Sequence, residues 1–535
     1  MKEKNTLSSE PKKSENMLRT AGFMAIVTLL AKVCGLLRES LIAAYFSTGF
    51  EGNAYMAATQ LPMTLFDLVI GGVISASFIP IFNDVMQKKS KAEAMNFANR
   101  FIGLIFTVCT VIAAGGMIFS KQLMQLMAPD FSPEALQLAA TLSCIMFPMI
   151  IFTGLAFSFV GILQSFGEFN IPAVMSLLSN LCVIAYFPLF GKRYGVYGLS
   201  VAMLVSWSVQ VLVQIPSLVR FSFRFRPRLT LRDPDILRAV KLAGPMLVST
   251  WVQPLYSIVN TRIASGFDGG VAALNYANRL YIVVTGVFSF VVTNLVFPKL
   301  SRAASSEDKT ESKKLLASSI KAVCLVMLPI AVLFFFLARP IIAFVYERGA
   351  FSAEDTALVS NALRFYSIGM VGLAINEVLS KAFFSQKDSK TPMLTAVCSM
   401  AVNIVLALSL SDVLGIAGLA LAGAGGSISN ALLNALAMHR KLRRAASSDE
   451  DRHIFTKCDG ADFVKMLLSA ALCAVPTYGL CRVLSEKVPS GMIGNFVLCA
   501  AAGAAGFVTY AAALLLMRES DLFALLKKGR KADRR

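Results

Sequence analysis

Windows of about 20 predominantly apolar residues recur from about residue 17 to about residue 517, fourteen in all. Each is long enough to cross a hydrocarbon layer about 30 Å thick. They begin near Arg19, Tyr55, Asn96, Leu136, Ile171, Val196, Val240, Ala272, Ile320, Thr356, Thr391, Gly415, Val464 and Met492. Inside lipid every backbone N–H and C=O needs a partner, and at these lengths only a helix supplies one within its own segment. Uncharged runs such as 322–338 also lack the apolar/polar alternation of a transmembrane β-strand. The chain therefore reads as an all-α polytopic membrane protein. Its composition agrees: 56% of the 535 residues are hydrophobic and 16% are charged, against roughly half and a quarter in soluble domains.

The formal charge of +19 would suit a nucleic-acid binder if it were clustered, but its distribution follows the positive-inside rule instead. With a cytoplasmic N-terminus, the inner loops and the two tails hold 38 of the 51 Lys and Arg residues. The outer loops hold 8: Lys121, Lys192, Arg193, Arg262, Arg339, Arg348, Arg482 and Lys487. This asymmetry predicts a multi-pass protein of the cytoplasmic membrane with both termini cytoplasmic, membrane lipids as neighbours and no nucleic-acid partner. Both ends on one side require an even number of spans, and fourteen satisfies that.

A weak internal repeat organises the spans. Gly49, Phe50, Glu51 and Gly52 correspond to Gly266, Phe267, Asp268 and Gly269, and Pro80 to Pro298. At a displacement of 220, Pro172 matches Pro392, Gly195 matches Gly415, Gly198 and Leu199 match Gly418 and Leu419, Ala202 matches Ala422, and Arg220 matches Arg440. One repeat holds six spans, so the two repeats share an orientation and form two pseudo-symmetric lobes around a central cavity. The expected organisation is a cytoplasmic tail at 1–16, an N-lobe at 17–225, a C-lobe at 226–442, a cytoplasmic linker at 443–463, spans 13 and 14 at 464–517 and a basic tail at 518–535. Those last two spans either line an accessory groove or cover the lipid face. Such lobes suit alternating access, and hinges are available at Gly244, Pro245 and Pro254 of span 7 and at Pro62, Gly71, Gly72 and Pro80 of span 2, where proline removes a helical hydrogen bond.

Five cations fall inside the spans: Lys32, Arg38, Arg279, Lys321 and Arg364. A charge at the bilayer centre costs about 2.5 to 3.5 kcal/mol on insertion scales, so it faces a cavity or a partner. Lys32 and Glu39, seven residues apart, share a face of span 1, while Arg38 projects about 120° away from Lys32. Arg279 belongs to the other lobe, and cations from both lobes facing one cavity would suit a phosphate head group, which guanidinium binds through paired hydrogen bonds. The alternative is that each cation snorkels to an interface or pairs with Glu39, Asp67 or Glu377. Lys321, near the cytoplasmic end of span 9, reads as interfacial.

No phosphate-cradling loop, no nucleophile elbow and no histidine within a span is present, so neither nucleotide hydrolysis nor esterase chemistry has a foothold. The ten cysteines are scattered singly and the two histidines, His439 and His453, belong to or adjoin a basic loop, which predicts no disulfide framework, metal or cofactor. The expected protein is not an enzyme, and its energy comes from the membrane potential, an ion gradient or substrate flux.

The segments Lys32-Val33-Cys34-Gly35-Leu36-Leu37-Arg38-Glu39, Asn53-Ala54-Tyr55, Leu61-Pro62, Phe78-Ile79-Pro80, Tyr276-Ala277-Asn278-Arg279-Leu280 and Ser385-Gln386-Lys387-Asp388-Ser389-Lys390-Thr391-Pro392 together resemble the MurJ (MviN) lipid II flippases of the multidrug/oligosaccharidyl-lipid/polysaccharide superfamily. The resemblance covers nearly the whole chain. It implies movement of undecaprenyl-pyrophosphate-linked disaccharide-pentapeptide, lipid II, from the inner to the outer leaflet of a bacterial cytoplasmic membrane, in company with cell-wall synthesis machinery. It also implies that Lys32, Arg38, Glu39 and Arg279 form the substrate-binding set, the cations on the pyrophosphate. Asn53, Asp67, Arg364 and Glu377 are candidates for the cavity or a gate. Lys32 stands where arginine is commoner in the family, and Leu65-Phe66-Asp67-Leu68 replaces a segment that often carries arginines. A flippase for another polyprenyl-linked oligosaccharide, a cation-coupled drug exporter and a non-transport scaffold for wall synthesis remain the competing readings.

Overall fold

A computed structural model describes residues 10–70, 72–230, 232–291, 296–297, 300–302, 309–445, 457–488 and 491–518. Among them every regular element is helical and none is a strand. Gly71, Pro298, His453 and most of the expected tails and linker lie outside the described residues.

The chain divides into two compact units, residues 1–266 and 267–535. The first contains α1 (Glu10–Phe46), α2 (Phe50–Val69), a π-helical turn (Ile74–Phe78), α3 (Ile79–Lys88), α4 (Lys91–Ile118), α5 (Ser120–Met127), α6 (Pro133–Met146), α7 (Met149–Ser165), α8 (Asn170–Tyr186), α9 (Lys192–Arg220), α10 (Pro234–Thr250) and α11 (Val252–Ala264). The second contains α12 (Gly270–Val291), α13 (Lys309–Phe336), α14 (Ala338–Tyr346), α15 (Ala353–Ile368), α16 (Met370–Ser385), α17 (Lys390–Leu414), α18 (Ile416–Ala445), α19 (Lys457–Lys487) and α20 (Met492–Leu516). Thirteen of the fourteen expected span starts fall inside helices, and Gly415 is the cap between α17 and α18. Seven described helices are individually long and apolar enough to cross a membrane, and nine if each of two bent pairs is one crossing. One of the seven is a 51-residue run, Asn170–Arg220, that holds two expected spans. A total of fourteen is compatible with this architecture. The outward faces are apolar where a soluble protein would be polar, as at Val413 (79% exposed) and Ile493 (77% exposed).

Within each unit the same local devices recur 220 residues apart. Ser132 and Ser352 both cap a helix by accepting a hydrogen bond from the backbone N–H three residues on. The capped helices bend by 40° between α6 and α7 and by 44° between α15 and α16. Gly195 (φ 51, ψ −140) and Gly415 (φ 60, ψ −136) turn the chain identically, in a region of backbone space essentially reserved for glycine. Gly167 (φ 78) and Lys387 (φ 59) close α7 and α16 with matching i→i−5 hydrogen bonds, Glu168 N to Leu163 O at 2.9 Å and Asp388 N to Phe383 O at 3.0 Å. The side chains of a buried brace repeat as well. Gln214 donates to Ala156 O (3.2 Å), Gln210 O (3.0 Å) and Met175 Sδ (3.6 Å). Asn434 donates to Asn376 Oδ1 (2.7 Å) and Asn430 Oδ1 (3.2 Å) and accepts from Thr395 Oγ1 (2.9 Å).

The boundary at 225 expected from the repeat and the compact division after Gly266 differ by one span. Span 7 is broken at Trp251, four residues ahead of Leu255, whose N–H reaches Trp251 O at 3.0 Å. Pro254 lies in the first turn of α11, where its missing N–H leaves no gap in the ladder. The two pieces are held to the first unit by polar contacts. Trp251 Nε1 donates to Leu68 O (2.6 Å), Thr261 Oγ1 donates to Gln60 Oε1 (2.8 Å), and Gln60 Nε2 donates to Ser257 Oγ. The break in span 7 therefore sits against the break in span 2, where Gly72 (φ 76) precedes the π-helical turn.

Spans 13 and 14 are attached to the second unit. Lys321 of α13, expected at an interface, is buried at 5% exposure between Asp459 (3.1 Å) and Asp462 (3.0 Å) of α19. Asp462 also takes Lys465 at 3.0 Å. Further along, Tyr510 Oη donates to Leu325 O (3.0 Å), and Leu337 packs with Leu498 and Ala502. A lysine buried in this way needs carboxylates, and they come from a helix 141 residues away in sequence.

Candidate functional site

In the first unit the candidate site is built where α1 meets α8. Arg38 Nη2 and Glu39 Oε1 are 2.5 Å apart, and Arg38 Nη1 donates to Asn180 Oδ1 at 3.0 Å. Asn180 in turn donates from Nδ2 to Ala31 O at 3.1 Å. One amide thus spans two helices: it holds the guanidinium with its oxygen and the preceding turns of α1 with its nitrogen. Glu39 and Asn180 are buried, and the Arg38 side chain is 16% exposed. Arg38 Nε is buried and has no hydrogen-bond partner. A cation so placed is neutralised on one edge and keeps donor capacity on the other, which suits an acceptor-rich anion that competes with Glu39. Tyr55, buried in α2, lies within electrostatic reach of the same guanidinium.

Lys32 is half-buried on α1, and the ion pair on Glu39 is made by its sequence neighbour Arg38 rather than by Lys32. Asn53 is half-buried in the first turn of α2, its N–H bonded to Gly49 O at 2.8 Å. Asp67 is exposed near the end of α2. In the second unit, Arg279 lies on the exposed face of α12, flanked by buried Ala277 and Leu280. Arg364 of α15 places its guanidinium over the Phe335 ring at 5.8 Å, a cation–π contact that accounts for a half-buried arginine in apolar surroundings. Glu377 pairs with Lys381 one turn on at 3.7 Å. The structure therefore brings Arg38 and Glu39 together within one unit, pairs Arg364 with Phe335 and Glu377 with Lys381, and places Arg279 on the exposed face of its helix.

Sequence reasoning missed Asn180, along with the Gln214 and Asn434 braces. Each is a neutral polar residue in an apolar span, and that burial was the available signal. Among the described residues no group of three or more His, Cys, Asp or Glu is arranged to hold a metal ion.

Bent apolar helices repeated in two units, with an arginine clamped beside a buried carboxylate inside one of them, define a polytopic membrane protein with a charged site among its apolar helices. A family model described as lipid II flippase MurJ matches residues 42–499. The chain belongs to the MurJ lipid II flippase family. It is 30% identical to a Burkholderia cenocepacia protein named "Lipid II flippase MurJ" over 443 residues, 79% of this chain and 83% of that one. It is likewise 30% identical over 419 residues to a Rhizobium meliloti relative of the same family, covering 76% and 77%. Among solved structures it is similar to a lipid II flippase MurJ in an inward closed conformation, with a TM-score of 0.76 and 23% identity over 92% of this chain and 98% of that one. An inward-facing MATE family multidrug transporter of the MOP superfamily shares the fold at a TM-score of 0.60 and 19% identity, over 79% and 96%.

Proposed function

We propose that this chain translocates lipid II from the inner to the outer leaflet of the bacterial cytoplasmic membrane by alternating access, with both termini in the cytoplasm. The observation that carries the reading is membership of the family over residues 42–499. The site chemistry supports it. A pyrophosphate offers more acceptor oxygens than Glu39 does, so it can take over the guanidinium edge that Glu39 occupies and add the free Nε–H, leaving Asn180 to hold the arginine in place. Lys32, on the same helix as Arg38, supplies a second cation whose ammonium acts as a point charge, and Arg279 of the second unit is proposed as a separate contact for the cargo. No bond to the cargo is made or broken, and the driving force is the membrane potential or an ion gradient, because the sequence carries no nucleotide-hydrolysis loop.

The test is lipid II accessibility on the outer leaflet in cells where this protein is the only flippase. Wild-type protein restores exposure. Arg38→Ala and Arg279→Ala, at normal abundance, abolish it. Full growth and unaltered lipid II exposure with Arg38→Ala would reject the head-group role, and failure of the wild-type chain to expose lipid II while it exposes a different polyprenyl-linked glycan would reject the substrate.

A further inference from the structure

The link between α9 and α10, residues 221–230, is a strap that is neither helix nor strand. It begins at Ser222 (φ 67), whose left-handed backbone ends α9 with Phe223 N bonded to Leu218 O at 2.9 Å. From there the side chains alternate with a period of two. Phe223 and Phe225 both dock edge-on against Phe159 of α7, at 6.1 and 5.8 Å between centroids, and Phe221 stacks on Phe166 at 4.9 Å. The residues between them, Arg224, Arg226 and Arg228, are exposed.

The strap's backbone is fixed as firmly as its rings. Arg226 N donates to Asn99 Oδ1 (2.7 Å) and Arg228 N to Asn99 O (3.3 Å). One turn further along α4, Gly103 lets the strap cross in contact with the helix. A Cβ there would come within 2.6 Å of Arg228 O and 2.8 Å of its N and C. The arginines are thus displayed at alternate positions of a strap whose backbone is tied to α4.

The neighbouring carboxylates are already engaged by other cations. Asp233 takes Arg100, Asp235 takes Lys89 at 2.8 Å, and Asp84 takes Arg238 at 2.6 Å and Lys88 at 2.8 Å. No ion pair joins Arg224, Arg226 or Arg228 to any described residue. Beside this unneutralised row two apolar side chains remain uncovered, Phe225 at 47% and Leu229 at 55% exposure. Because α9 ends a run long and apolar enough to cross a membrane and α10 leads into the expected span 7, their link lies at a bilayer edge. Unpaired guanidinium groups interleaved with exposed apolar side chains at that depth match a phosphate layer lying over acyl chains.

We propose that the strap is a binding edge for anionic phospholipid, Arg224, Arg226 and Arg228 engaging head-group phosphates while Phe225 and Leu229 enter the acyl boundary. Native mass spectrometry of the full-length protein in detergent, titrated with phosphatidylglycerol or phosphatidylcholine, tests it. The wild type retains phosphatidylglycerol preferentially. R224Q/R226Q/R228Q loses that retention about tenfold or more, as removal of three charges near an anionic surface predicts, whereas R224K/R226K/R228K and the control R440Q/R443Q keep it. Equal retention of the two lipids by the wild type, or undiminished phosphatidylglycerol on the glutamine variant, overturns the proposal. Displacement of the lipid by excess inorganic phosphate would also overturn it, since it would show a free-anion site without an acyl component. An unchanged melting temperature for the glutamine variant separates lost binding from lost fold.

Discussion

Gln214 and Asn434 stand 220 residues apart and brace equivalent helices through equivalent positions. The partners of Gln214 are Ala156, Met175 and Gln210, and those of Asn434 are Asn376, Thr395 and Asn430. The brace differs in what it would leave behind if removed. Asn434→Leu strands three side-chain groups, and should lower stability in detergent by about 1 to 2 kcal/mol. Gln214→Leu frees a thioether and two backbone carbonyls, one of them of α7 and one of its own helix, and should cost less. Paired thermal melts of the two variants decide this. Equal losses would mean that packing volume, not hydrogen bonding, sets the value of the node.

Asn180→Leu should leave folding intact while reducing outer-leaflet lipid II exposure about tenfold, the equivalent of about 1.4 kcal/mol for one hydrogen bond to a charged group. Asn180→Asp should be worse than Asn180→Leu, because a second carboxylate would hold the guanidinium against a phosphate. If the aspartate variant transports as well as wild type, Arg38 is not the head-group ligand.

Lys321→Met should destabilise by about 3 to 5 kcal/mol, the range for removing one partner of a buried ion pair. Asp462 keeps Lys465 in that variant. Limited proteolysis should then cut near α19 before the rest of the second unit. The double variant Lys321→Met with Asp459→Asn should recover part of the stability.

Gly195→Ala and Gly415→Ala should cost about 1 to 3 kcal/mol each, since both backbones occupy a region that a Cβ disfavours. The space around the two positions is open or in ordinary contact, so the penalty is torsional and similar in the two units. Thermal melts that differ between the two variants by more than about 1 kcal/mol would show a local packing term instead.

Asp388 offers a pH signature outside the membrane. Burial alone would raise its carboxyl, but hydrogen bonds from Lys441 (3.0 Å) and from the Thr391 N–H and hydroxyl hold it below 3.8. A carboxylate depressed in the folded state stabilises fully above its ordinary value and loses that contribution as pH falls through the lower folded value. Melting of the wild type should therefore be flat in this respect from pH 7 to 5 and fall below about pH 4, with Asp388→Asn removing that part of the acid sensitivity.

Much of the fold was legible because lipid imposes a length and a composition on each span, and the repeat was visible wherever glycine or proline was required by the backbone. Arg38 and Glu39 were legible as charges in an apolar helix. Asn180 was not, because a single asparagine in an apolar run becomes meaningful only once α1 and α8 lie side by side. The attachment of span 7 to the first unit was hidden for the same reason: Gln60 and Thr261 are unremarkable in their own helices, and the 2.8 Å bond between them is a product of the fold. The ion pairs of Lys321 were not legible because Asp459 and Asp462 fall in the segment expected to be a cytoplasmic linker, far along the sequence.

The position 220 residues beyond Asn180 is Met400, so the amide that orients Arg38 has no copy in the other repeat, although the surrounding braces do. Duplication here preserved the carpentry and let the chemistry diverge. A mutation at the paired glycine turns, Gly195 and Gly415, should be felt alike in either repeat, whereas a mutation at the arginine clamp should have no mirror image.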